Sequence, residues 1–64
     1  MTTAEAIRRL SKIIAACDDV DGERGDEISE RAGPMRTVIL ASDHVHWRQE
    51  WLILSWEHEL EITE

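Results

Sequence analysis

The sequence is poor in the residues that usually reinforce a small fold. It has one cysteine, Cys17, so an internal disulfide is excluded, and an unpaired cysteine is typical of the reducing cytoplasm. We therefore predict a cytoplasmic location. A chain of 64 residues can form one thin-cored domain at most, which argues against a deep substrate cavity. Small scaffolds of this kind commonly gain their missing core by self-association or from a partner.

Long apolar runs and catalytic motifs are also missing. The longest uninterrupted apolar stretches, 38–41 and 51–54, fall far short of the roughly 20 residues that span a bilayer, so no membrane association is expected. The chain has no glycine-rich phosphate loop, nucleophile elbow or Cys-x-x-Cys motif. We therefore expect neither an enzyme nor a bound cofactor.

Acidic residues are abundant and unevenly distributed. Fourteen of them against seven basic residues give a formal net charge of −7, which disfavours direct binding to nucleic acid and favours a basic protein partner. A first cluster comprises Asp18, Asp19, Asp21, Glu23, Asp26, Glu27 and Glu30. A second cluster comprises Glu57, Glu59, Glu61 and Glu64.

The first third of the chain has the pattern of an amphipathic helix. Thr2 followed by Glu5 is typical of a capping box, and the apolar residues that follow recur with a period near 3.6, so a helix is predicted over about 3–17. The next segment, 18–34, holds all three glycines and the only proline. It is predicted to be an acidic loop, with at most one helical turn over 26–32.

The remainder of the chain favours strands. A run of β-branched and apolar residues predicts a strand over 35–42, and alternating apolar residues predict a second strand over 50–63. The predicted fold class is α+β, with one N-terminal amphipathic helix packed on a two-stranded antiparallel hairpin. An alternative stays open, in which Ser42 or Asp43 caps a helix that runs through Val45, Gln49, Leu52, Trp56 and Leu60.

In the strand interpretation the second acidic cluster becomes a ladder. Glu57, Glu59 and Glu61 would share one face, about 6.6–6.8 Å apart, a spacing comparable to that of phosphates along a nucleic-acid strand. The ladder and the acidic loop could then occupy a basic groove, although a solvated face that confers only solubility is the alternative. Trp51 would point away from Leu52 and is predicted to anchor a partner, or else to be covered by a homodimer or by a curled loop that bears Trp47.

In size, charge and lack of catalytic motifs the chain resembles a class of inhibitors encoded by phages and mobile elements, such as anti-CRISPR, anti-restriction and uracil-DNA glycosylase inhibitor proteins. The resemblance implies a DNA mimic that blocks the basic groove of a CRISPR effector or another DNA-binding complex. One alternative is a homodimeric regulatory protein, such as an antitoxin, that binds a basic partner. The other is a metal-binding module that uses His44 and His46, because His-x-His on a strand projects both imidazoles from one face.

Overall fold

The structure, a computed structural model, describes residues 1–20 and 22–62. The first helix, α1, spans Thr3–Asp18. It begins at Thr2, whose side-chain oxygen accepts a hydrogen bond from the backbone N–H of Glu5 at 3.1 Å. It therefore starts at the predicted residue and extends one residue past the predicted end. Its buried stripe consists of Ala6, Leu10, Ile13 and Cys17.

The second helix, α2, spans Glu23–Ser42 and occupies both the predicted acidic loop and the first predicted strand. Its N-cap, Gly22, has a φ of 123°, a conformation that favours glycine. The helix ends at Asp43, which adopts the left-handed conformation and donates its backbone N–H to the Ile39 carbonyl at 2.9 Å. Its buried residues are Gly25, Ile28, Ala32 and Ile39.

The third helix, α3, spans Trp47–Glu59 and replaces the second predicted strand. It is capped by His46, whose Nδ1 accepts from the backbone N–H of Arg48 at 3.2 Å. The backbone N–H of His46 in turn donates to the side-chain oxygen of Gln49 at 2.8 Å, which completes a reciprocal cap. The buried residues of α3 are Ile53, Trp56 and Glu57.

The three helices share a single core. Helix α1 packs most extensively on α2 and also on α3, whereas α2 and α3 touch each other little. The body measures 32 × 21 × 17 Å. In the part of the chain that the structure describes, no helix is both long and apolar enough to cross a membrane. The buried apolar residues are Ala6, Leu10, Ile13, Cys17, Ile28, Ala32, Ile39, Ile53 and Trp56.

The predicted α+β fold is wrong, because residues 1–20 and 22–62 contain three helices and no strand. The loop prediction over 18–34 is wrong because the glycine and proline residues of this segment do not interrupt α2. Pro34 lies inside α2 on its exposed side, where the Glu30 carbonyl that loses its donor can bond to water instead. The apolar run after it, predicted as the strand 35–42, continues the same helix, so Ile39 is buried while Leu40 is 60% exposed.

The strand prediction over 50–63 failed because α3 carries apolar residues on both its buried and its exposed side. Leu54 faces solvent, Trp56 faces the core, and Leu52 and Leu60 are half-buried, so these alternate residues lie on different sides of the helix and only imitate a period of two. The helical alternative named the buried Trp56 and four half-buried residues but left out Ile53, which is fully buried. Its proposed caps were wrong, since His46 is the N-cap. Residue 63 lies outside the described residues.

Two glycines of α2 provide a matched test of this fold. A methyl group added at Gly33 meets nothing within 4 Å, so Gly33→Ala should raise the free energy of unfolding by about 0.5–1 kcal/mol. At Gly25 the same methyl group would lie 3.0 Å from the Val20 carbonyl oxygen, so Gly25→Ala should destabilise the protein. Urea unfolding followed by circular dichroism at 222 nm measures both changes. Equal effects at the two positions would contradict this packing of α2 on the end of α1.

Candidate functional site: an acidic pole and an apolar helix face

Carboxylates converge at one end of the molecule, where α1 ends and α2 begins. Asp18 is the last residue of α1 and Asp19 its C-cap, while the other members of the group lie in the first two turns of α2. All are exposed. We call this group the acidic pole, and its members are Asp18, Asp19, Glu23, Asp26, Glu27 and Glu30. Asp21, which was also predicted to bind a partner, lies outside the described residues.

Arg24 joins the acidic pole to the C-terminal end of α3. Its guanidinium donates to both carboxylate oxygens of Glu59, from Nε at 2.5 Å and from Nη2 at 2.9 Å. The remaining nitrogen, Nη1, donates to Glu27 at 2.9 Å. These hydrogen bonds raise the pKa of Arg24 and hold the pKa of Glu59 below its ordinary value. Arg24 therefore uses every guanidinium nitrogen on two carboxylates.

The other carboxylates of the acidic pole are not neutralised by the described residues. Within 1–20 and 22–62 no ion pair or side-chain hydrogen bond involves Asp18, Asp19, Glu23, Asp26 or Glu30. Their field reaches the core, because Asp18 and Asp26 add to the effect of burial in raising the pKa of the Cys17 thiol. Cys17 is only 6% exposed, as expected of a small buried hydrophobe.

The three glutamates of the predicted ladder do not share a face. Glu57 is 8% exposed and points towards α1, Glu59 is held by Arg24, and Glu61 follows the end of α3 with a φ of 56°. Residues two apart on a helix differ in direction by about 200°, so the ladder fails once the segment is helical. That Glu59 and Glu61 contact a partner stays a prediction.

Glu57 has a structural role instead. Its Oε1 accepts a hydrogen bond from Nη1 of Arg9 at 3.3 Å, and Arg9 also lies 3.5 Å from Glu5. Nε of Arg9 and Oε2 of Glu57 are buried and have no partner within the part of the chain that the structure describes. This pair ties α3 to α1, and we assign Glu57 to the fold rather than to a binding surface.

The solvent-facing side of α3 is apolar. Trp47, Trp51 and Leu54 are 67%, 64% and 47% exposed, and His58 continues the same line. Because these positions are spaced four, three and four residues apart, they lie in one row, which we call the α3 outer face. Trp51 was predicted as a partner anchor. Trp47 and Leu54 were missed, although the spacing of four and three residues is visible in the sequence.

The N-terminal end of the α3 outer face forms an open groove. It has a volume of about 410 Å³ and is lined by Trp47, Arg48, Trp51 and Leu52. The Arg48 guanidinium lies 5.2 Å from the centre of the Trp47 ring, within the range of a cation–π interaction. This end is therefore apolar and basic, in contrast to the acidic pole at the other end of α3.

The two histidines proposed as metal ligands lie before α3. His46 uses Nδ1 to cap that helix, while His44 lies in the connection that follows α2. Among the described residues no group of three or more histidine, cysteine, aspartate or glutamate side chains is placed to hold one metal ion.

The chain matches no protein-family model, no curated protein and no solved structure. Its function has to be inferred from the acidic pole and the α3 outer face.

The Arg24–Glu59 contact predicts a specific pH dependence. Because the folded pKa of Glu59 is lowered, its contribution to stability is complete above the ordinary value of 4.5 and is lost as the pH falls through the folded pKa. Glu59→Gln should therefore lower the urea midpoint more at pH 7 than at pH 3. Glu61→Gln is the matched control, and its effect should not shrink in the same way. A Glu59→Gln effect that is equal at both pH values would contradict the contact.

Proposed function

We propose that the protein is a non-enzymatic inhibitor whose acidic pole binds a basic groove of a nucleic-acid-handling protein and blocks nucleic-acid binding there. The proposal rests on five exposed carboxylates that have no partner among the described residues. Two of them, Asp18 and Asp19, lie at the C-terminal end of α1, where negative charge weakens the helix. The proposed location is the cytoplasm, where such partners act. The resemblance to phage-encoded inhibitors supports a CRISPR effector or another DNA-binding complex as the class of partner.

The positions of Asp18 and Asp19 are unfavourable for folding. A helix carries partial negative charge at its C-terminal end, so an aspartate there costs about 0.3–1 kcal/mol at low ionic strength. Helix α1 has no basic residue in its last turn to offset this cost. The last turn of α1 therefore gives these aspartates no stabilisation, although the start of α2, where the dipole favours negative charge, lies beside it.

The acidic residues of α2 are only partly explained by its stability. Glu23 and Asp26 lie in the first turn, where the helix dipole favours negative charge. However, Glu23 and Glu27 are four residues apart, as are Asp26 and Glu30, and like charges at this spacing cost about 0.2–0.5 kcal/mol per pair. Residues retained at a cost in stability are commonly those that function requires.

The acidic pole is complementary to a surface that binds phosphates. Its carboxylates on α2 extend over seven residues, a rise of about 10.5 Å, and Asp18 and Asp19 continue the negative surface onto α1. A groove lined by lysine and arginine would attract this end of the molecule over a distance and accelerate association. Direct binding to nucleic acid is not expected from such a surface.

The cost of the two aspartates can be measured without knowing the partner. The double variant Asp18→Asn, Asp19→Asn should be more stable than the unaltered protein at low salt, and its Tm should rise by several degrees. The gain should diminish at 1 M NaCl, where the charges are screened. A loss of stability would show that the two carboxylates support the fold, and the proposal would lose its main support.

Binding can be tested with the same variant. The unaltered protein, immobilised, should retain a DNA-binding protein from an extract of the source cells, and the Asp18→Asn, Asp19→Asn variant should retain much less of it. The control is Asp43→Asn, Glu50→Gln, which removes the same number of negative charges from the other end. The captured protein is then purified, and its binding to a labelled DNA duplex is measured by fluorescence anisotropy while the unaltered protein is titrated in.

Competition with the duplex that weakens with salt and is lost in the acidic-pole variant is the expected result. If both double variants were equally effective, the position of the charge would be irrelevant and the acidic pole would not be the binding surface. Capture of a lone small basic protein that does not bind DNA would favour the antitoxin alternative.

A further inference from the structure

We propose that a second copy of the chain docks on the α3 outer face, so that two α3 helices pair antiparallel about a twofold axis. The contact would be formed by Trp47, Trp51, Leu54 and His58 of each copy. It uses a surface separate from the acidic pole, so it goes beyond the proposed function and stands or falls independently.

The spacing of the outer face points to a helix as the occupant. Intervals of four, three and four residues are those of alternating a and d positions in a heptad, the pattern with which one helix packs into another. The inner face of α3 contacts its own chain through Ile53 and Trp56. The outer face is therefore a second apolar seam on the same helix, with no counterpart in the described chain.

The size of the protein also favours self-association. Among the described residues nine apolar residues are buried, while six large apolar side chains are at least 39% exposed. A dimer through α3 would bury the outer face and enlarge a thin core.

An antiparallel arrangement makes the outer face complementary to itself. A twofold axis midway between Trp51 and Leu54 places Trp51 of each copy opposite Leu54 of the other. A large side chain therefore meets a smaller one. The same axis pairs Trp47 with His58. The copy's Glu59 would lie about 3 Å from the level of Arg48 along the helix axis, on the same flank. Glu59 keeps its hydrogen bonds to Arg24 in this arrangement, so Arg48 would lie beside an Arg24–Glu59 pair.

A parallel arrangement lacks these advantages. It would set Trp51 against Trp51, and it would bring two acidic poles side by side on chains that each carry a net charge of −7. In the antiparallel dimer the two acidic poles lie at opposite ends, where both remain accessible. The charge distribution thus selects the antiparallel form.

The oligomeric state of the full chain tests the proposal directly. Sedimentation equilibrium over a series of protein concentrations should give twice the chain mass of 7.4 kDa at the upper end. The double variant Trp51→Glu, Leu54→Glu should dimerise at least about 100-fold more weakly, with an unchanged helical circular dichroism spectrum because both side chains face solvent. The control Leu40→Glu alters an equally exposed apolar residue of α2 and should leave the dimer intact.

Cysteine cross-linking tests the orientation. In the antiparallel dimer residue 51 of one copy lies at the level of residue 54 of the other, whereas two copies of residue 51 are offset by about 4.5 Å along the axis. When Trp51→Cys and Leu54→Cys proteins are mixed and oxidised, the mixed disulfide should form in preference to either homodimer. Cys17 is buried, so the unaltered protein provides the background.

Three results would overturn the proposal. The first is a monomer at every concentration, whatever the variants do. The second is a dimer that survives Trp51→Glu, Leu54→Glu, which would place the contact elsewhere. The third is preferential formation of the Trp51→Cys and Leu54→Cys homodimers over the mixed disulfide, which would show a parallel arrangement.

Discussion

The structure depends on the apolar stripe of α1, which has to serve two other helices at once. Ala6, Leu10, Ile13 and Cys17 are all buried, and α1 is the helix that contacts both α2 and α3. A chain of 64 residues has no fourth helix in its described part to cover what this stripe leaves exposed. Helix α3 is therefore buried on one side only, and its outer face stays apolar and open to solvent.

The same constraint divides the carboxylates into two kinds. Charged contacts help to hold α3 on one side, with both Glu57, bound by Arg9, and Glu59, bound by Arg24, in its last turn. Removing Arg9 would leave the nearly buried Glu57 carboxylate uncompensated, which is destabilising. The carboxylates with no such task, led by Asp18 and Asp19, are those that the proposed function uses.

The sequence was sufficient for α1 and insufficient for the rest. Thr2, Glu5 and the apolar period that follows act locally, so a helix starting there could be predicted. Pro34 acts differently, because it breaks a helix only where the freed carbonyl stays unsatisfied, and its exposed position depends on the tertiary packing of α2. Glu57 was predicted on a binding surface because the sequence alone does not show that Arg9 lies opposite it in the fold. The residues of the acidic pole could be predicted from the sequence, whereas their position at the junction of α1 and α2 could not.

Residues 47–59 form a helix with one side on α1 and an apolar side in solvent, and the outer face exists only if this segment is helical. The backbone ¹³Cα chemical shift of each residue from 23 to 59, measured by NMR, tests this. Three helices predict continuous downfield deviations over 23–42 and 47–59, interrupted only between the two helices. Upfield deviations over 35–42 and from 50 onwards would indicate two strands and would contradict both the fold and the outer face.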